Sequence, residues 1–173
     1  MFAALHPNLQ ISLGDTPSFA SVKDLSGTDE ARPGNFVFFD LMQYHLGVCS
    51  LHQIAVAVAC PVVSKKKKEK QIIVHGGAIH FSKEFILDNN QQKIYGRIVE
   101  LKDQTWTDTG EGNILIGLSQ EHGTVQLNEE QFEKTNIGDL LYVLPVHSCL
   151  TANLMKGYQN LEGEKVDHLE GNL

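Results

Sequence analysis

A mainly β fold, closed as a barrel or layered as a sandwich, is what this sequence predicts. Three observations carry that expectation. Short stretches rich in Val, Ile and Phe recur along the chain, each bounded by turn residues. Helical periodicity is scarce. With 173 residues, 42% of them hydrophobic and 20% charged, the composition suits one packed domain and a smaller appendage.

The elements follow in order. "NLQISLG" (8–14) alternates and ends on a glycine, and "PSFASVKDLSG" (17–27) reads as a helix ending before Gly27. "GNFVFFD" (34–40) reads as a strand, entered through a type II turn at Pro33-Gly34. "IAVAVACPVVS" (54–64) is a strand in which Pro61 marks an edge or a bulge. "QIIVHGGA" (71–78), "YGRIVEL" (95–101), "NILIGLSQ" (113–120), "GTVQL" (123–127) and "DLLYVLPV" (139–146) continue the series. "NEEQFEKTN" (128–136) is a short helix with Asn128 as its cap and acids in its first turn. Residues 28–156 therefore form a β domain, the polar stretch 157–173 a tail, and 1–27 a separate strand–helix unit of α/β character. A lone unit of that kind, with the grammar of an α/β barrel or a doubly wound sheet, cannot bury its own faces, so either it docks on the β domain as an appendage or the chain is the C-terminal piece of a longer protein.

Composition also excludes. A net charge of −7 argues against nucleic acid or an anionic membrane as the main partner. The basic run "SKKKKEK" (64–70) lies between two strands and reads as a solvated hairpin tip, where lysines discourage edge pairing. No stretch reaches the ~18–20 apolar residues of a membrane-spanning helix. The N-terminus carries no secretory pattern. Cys49, Cys60 and Cys149 form no disulfide framework, which favours free thiols and the cytoplasm.

Five stretches can carry chemistry. In "VLPVHSCLTANL" (143–154), His147 and Cys149 sit two apart at a strand exit, where both would face one side. Imidazole with thiolate suits zinc, and two ligands leave positions open for water or substrate. A buried cysteine beside a half-exposed histidine is the plainer alternative. In "SQEHG" (119–123), Glu121 and His122 mark a tight hairpin or support a metal-bound imidazole. "HGGAIHFSKE" (75–84) pairs glycines suited to close backbone approach with His75, His80, Ser82 and Lys83 as loop residues that can line a site. "GDTPS" (14–18) is an anion site at a helix start or an ordinary N-cap with Pro17 in the first turn. Arg32 reads as the partner of Glu30 or Asp40.

Taken in order, "ISLGDTPS", "EARPGNFVFFDLMQ", "ACPVVS", "GGAIHFSKE", "SQEHG" and "GDLLYVLPVHSCLTANL" resemble the C-terminal portion of eukaryotic-type D-serine dehydratases and D-threonine aldolases. These are fold-type III enzymes that depend on pyridoxal phosphate and are related to alanine racemase. The resemblance covers about residues 8–155, with "HSCLTANL" its most specific part. It implies a C-terminal β domain preceded by the last strand and helix of an α/β barrel. It implies His147 and Cys149 as metal ligands and catalytic groups, with Gly14, Asp15 and Thr16 near the cofactor phosphate. A His-x-Cys pair with zinc is typical of the dehydratase branch, and His-x-Asp of the aldolase branch.

The resemblance thus implies a D-amino-acid lyase, foremost a D-serine dehydratase forming pyruvate and ammonia. A D-threonine aldolase, a racemase or a non-catalytic β module are the alternatives. The family's cofactor lysine lies near the start of the barrel, and Lys23, Lys83 and the run at 65–68 match no such motif. The chain by itself is expected to be inactive, to need its α/β-barrel domain and to form a homodimer, since a β domain without that barrel exposes apolar surface.

Overall fold

Apolar residues at every second position become the inside of a barrel. The computed structural model describes residue 6 and residues 8–155 and 157–166. Strands β3 (Val58–Lys66), β4 (Gln71–His75), β7 (Gly96–Lys102), β9 (Ile114–Leu118), β10 (His122–Gln126) and β11 (Leu140–Pro145) close in the order β11-β3-β4-β10-β9-β7, and β7 returns to pair with β11. All these pairings are antiparallel. β8 (Thr105–Asp108) adds to β7 outside the closed ring. Along β3, Val58, Cys60 and Val62 are buried while Ala59 and Pro61 are exposed. The buried set meets Ile72, Val74, Ile98, Leu115, Val125 and Val143 in the interior. Closure removes the edges that an open sheet would offer to other chains.

Two strands are covered on both faces. Ile98 and Val143 point into the barrel, and their neighbours Val99 and Leu144 lie in a second cluster with Leu41, Leu51, Ile54 and Val146. Helix α2 (Leu41–His45) and a 3-10 turn at Leu51–Gln53 supply that outer layer. Double coverage accounts for the near-continuous apolar run of "DLLYVLPV". The Trp106 indole N–H donates to the Ile54 carbonyl at 2.8 Å and ties β8 to the same layer.

Most of the expected strands form. The register shifts between Val62 and Ser64, so Pro61 sits beside a bulge. The lysine run forms the β3–β4 hairpin tip. Helix α4 (Glu129–Lys134) begins where Asn128 Oδ1 accepts the Gln131 N–H at 2.9 Å.

Several expectations fail. Residues 34–40 form no strand but a run of bends and turns. The Asn35 backbone N–H, donating to Thr16 Oγ1, and the Asp40 carboxylate, accepting the Gln43 N–H, draw the chain inward, which overrides the β propensity of Phe36 and Val37. Val37 is left 77% exposed. Gly34 does not take a left-handed φ, so the Pro33-Gly34 turn is not type II. The predicted strand at 8–14 shrinks to β1 (Ser12–Leu13), paired in parallel with β2 (Glu30–Ala31). The first helix, α1, spans Thr16–Ser21 and ends far before Gly27. Its C-cap Val22 is extended and Asp24 turns the chain by bonding the Ser26 N–H.

The strand–helix unit is tied to the segment that follows it. Asp29 Oδ2 accepts the Ile11 N–H at 2.8 Å, and Phe19 meets Phe36 edge to face at 5.0 Å. Of the polar tail, β12 (Tyr158–Gln159) and β13 (Lys165–Val166) pair as a small hairpin; residues 1–5 and 167–173 lie outside the described residues. The remaining elements are α3 (Ala78–Phe81), the pair β5 (Ile86–Leu87) and β6 (Lys93–Ile94), and α5 (Ser148–Met155). Among the described residues no helix is long and apolar enough to cross a membrane.

Candidate functional site

The His-x-Cys stretch lies at a junction rather than on a strand. β11 ends at Pro145 and α5 begins at Ser148, with the Thr151 N–H bonded to the His147 carbonyl at 3.2 Å. His147 and Cys149 therefore straddle a strand-to-helix turn, and the alternation that would align them on one strand face does not apply.

A buried carboxylate holds that turn. Asp40 is 1% exposed. Its Oδ1 accepts the Gln43 N–H at 2.9 Å and caps α2, while its Oδ2 accepts the Ser148 N–H at 3.1 Å and caps α5. One side chain thus satisfies the starts of two helices. Asn35 completes the arrangement. Its Nδ2 donates to Asp40, its Oδ1 accepts from the Ser148 hydroxyl at 2.7 Å, and its backbone N–H donates to Thr16 Oγ1 at 2.8 Å. The seam joins the N-terminal unit, the 34–40 bend and the His-x-Cys turn through buried, paired groups. Of the two partners that the sequence offered Arg32, Glu30 is the one it meets, at the surface and beside Ser12, while Asp40 serves the seam.

The two candidate ligands meet different neighbours. His147 Nδ1 lies 2.9 Å from Glu84 Oε2. The Cys149 thiol reaches the Gly34 carbonyl at 3.4 Å and is free and half-buried. Burial pushes the Cys149 thiol above its usual range, and the nearby Asp40 charge adds to that push. A positive partner such as a metal ion is what would draw it to thiolate. The donor chemistry, one imidazole nitrogen and one sulfur, fits zinc. Among the described residues no three His, Cys, Asp or Glu side chains gather to hold a metal, so the pair would be an open site rather than a closed structural one.

The other sequence candidates land elsewhere. Glu121 and His122 form the β9–β10 hairpin, where the Glu121 carbonyl accepts the Gly76 N–H at 3.0 Å. His122 stands 5.9 Å from His75 and His75 5.1 Å from His80, ring centre to ring centre. Burial, then the charge of His75, lowers the His80 pKa. The carboxylate that meets His147 is Glu84, at the end of the "HGGAIHFSKE" stretch. Helix α3 packs against α5 and so brings Glu84 there. The paired glycines allow this close approach, because a Cβ at Gly77 would lie 2.5 Å from the Gln120–His122 backbone.

Asp15 and Thr16 also have other partners. Asp15 Oδ1 caps α1 by accepting the Ser18 N–H at 2.7 Å, and Thr16 is buried against Asn35. Gly14 faces the Arg32 guanidinium. Asp15 therefore already accepts one of the N–H groups at the start of α1.

Residues 55–160 match the family model described as "Putative serine dehydratase domain". The chain belongs to that family. It is 29% identical over 160 residues to the D-threo-3-hydroxyaspartate dehydratase of Delftia sp. (strain HT23), covering 89% of this chain and 41% of that protein. It is 29% identical over 162 residues to the D-serine dehydratase of Dictyostelium discoideum, covering 89% and 40%. The structure of the Delftia enzyme superposes with a TM-score of 0.78 at 27% identity, over 96% of this chain and 45% of that one.

Two variants of D-threo-3-hydroxyaspartate dehydratase give 0.80, again at 27% identity. One replaces a histidine by alanine and the other a cysteine two positions later, the latter in a metal-free form. An alanine racemase-like protein from Idiomarina loihiensis gives 0.79 at 27% identity, over 94% of this chain and 44% of that one. The chain spans less than half the length of these relatives. The barrel and the alanine racemase-like relationship expected from the motifs are therefore observed.

Proposed function

We propose that this chain forms the metal-bearing β domain of a D-amino-acid dehydratase, with D-serine as its substrate, and that His147 and Cys149 hold a zinc ion. The observation that carries the reading is the His-x-Cys turn, which offers one nitrogen and one sulfur donor on a backbone fixed by buried Asp40. The alanine variants of the relative, at a histidine and a cysteine of the same spacing, support it. Lewis-acid polarisation of a hydroxyl leaving group is the chemistry zinc supplies at such a pair. The residues of the chain contribute binding and orientation. His147 and Cys149 are the donors, Asp40 holds the Ser148 N–H so that both stay on the turn, and Asn35 locks Asp40 in place.

Pyridoxal phosphate, when bound, supplies an electron sink. Its lysine would lie in an α/β-barrel domain joined to this one, Gly14, Asp15 and Thr16 would stand near its phosphate, and two such subunits would pair. Competition of the purified chain with a chromophoric chelator tests the metal. One zinc ion is expected for the native chain, and none at the same free-metal concentration after His147→Ala or Cys149→Ala. Uptake unchanged by both substitutions would end the reading. Restoration of pyruvate formation from D-serine on mixing with a matching barrel domain tests the reaction.

A further inference from the structure

We infer that Glu84 is the positioning residue of the metal site, holding the His147 imidazole in the tautomer that leaves Nε2 for the metal. The inference rests on the zinc reading above and extends it to a residue outside the His-x-Cys motif.

The geometry is specific. Glu84 Oε2 lies 2.9 Å from Nδ1 of His147, a hydrogen-bond distance. A carboxylate accepts and does not donate, so a hydrogen bond at that distance is formed by the tautomer with its proton on Nδ1. In the neutral ring the other nitrogen, Nε2, is then the bare donor. A ring free of such a partner has no reason to keep that tautomer, and a carboxylate behind a ligating imidazole both orients the ring and raises its basicity.

The fold delivers Glu84 to this place by a sequence of distinct devices. Gly77 lets the chain pass against the β9–β10 turn, and Gly76 lets it pass against Cys60, where side chains would clash. α3 then makes a single turn against α5, Ser82 follows with a φ of 65°, and Glu84 two residues on meets His147. A non-glycine residue in that conformation carries local strain, which surrounding structure must hold in place. Asp40 is locked between two helix starts, and the Glu121 carboxylate acts on His80 instead.

Long-range proton–nitrogen NMR of the neutral ring, assigned by its loss in His147→Gln, reads the tautomer without any metal. The Nδ1–H form is expected in the native chain, with a shift to mostly Nε2–H in Glu84→Ala. Glu84→Gln keeps an oxygen acceptor and should retain the native tautomer. Chelator competition should then show zinc affinity falling about 10–100-fold in Glu84→Ala and less in Glu84→Gln. A tautomer that is the same in the native chain and Glu84→Ala overturns the inference. So does a zinc affinity that Glu84→Ala leaves unchanged in a chain that needs His147 to bind. If Glu84 sets the tautomer but zinc uptake is indifferent to His147→Ala, the metal reading fails and the orienting contact stands alone.

Discussion

The barrel interior and the Asp40 seam are held together by opposite means. Inside the barrel, Ile72, Val74, Leu115, Val125 and Val143 are wholly buried and give one another shape and no direction. At the seam, Asp40, Asn35 and Ser148 are almost as buried, yet they are joined to one another by hydrogen bonds, each with a required angle. Apolar packing tolerates rearrangement at modest cost, whereas a half-satisfied polar network is worse than none. The site is hung from the region that fixes direction, and the barrel serves as its rigid base.

The sharpest way to break this contrast is to damage each region in turn. Asp40→Ala removes the cap of two helices and strands Asn35, and should lower unfolding free energy by about 3–5 kcal/mol in urea denaturation. It should also weaken zinc binding, because the turn at His147 and Cys149 loses its anchor. Leu115→Ala should cost a comparable ~2–5 kcal/mol and leave metal affinity of the folded chain unchanged. Equal effects of the two on zinc would mean that the seam has no privileged link to the site.

The next effect sharpens the barrel side. Burial pushes the Cys60 thiol up to about 12, from an ordinary value of 9.0. A thiol held neutral in the native state and ionising freely in the unfolded one stabilises fully below pH ~9, and that contribution is lost as pH rises towards the folded value. Stability should therefore fall above pH ~9 by at most about 1.4 kcal/mol per pH unit, and Cys60→Ala should flatten the slope. An unchanged alkaline slope in the variant would show that other groups govern that range. The smallest effect is at the N-terminal unit. Asp15→Ala removes the α1 cap at an expected ~1 kcal/mol, with zinc affinity untouched.

How much could be read in advance differs between the same two regions. Pro61 with its bulge, the lysine hairpin tip and the Asn128 cap depend on neighbours within a few residues, and local pattern was enough for them. "GNFVFFD" has the same apolar pattern as a true strand, and only the pull of Asn35 and Asp40 on distant partners turns it into a bend. The His-x-Cys motif announced its donors. Its geometry did not follow, because a strand exit and a helix start look alike until the Ser148 N–H finds its acceptor. Glu84 carried no local signal beyond sitting at the end of a glycine-led segment, since its partner is 63 residues away.

By itself the sequence determined that strands would form, where most of them lie, that they would bury one alternating face, and which side chains carry the nitrogen and sulfur on which the zinc proposal rests. Those are properties of period, propensity and donor type, each set within a short window. Only the tertiary structure decided that the strands close on themselves, that Asp40 starts two helices, and that Glu84 rather than Glu121 stands behind His147. Each of these depends on pairing between residues far apart in the chain. The direction of a hydrogen bond is fixed only when both of its ends have been brought into place.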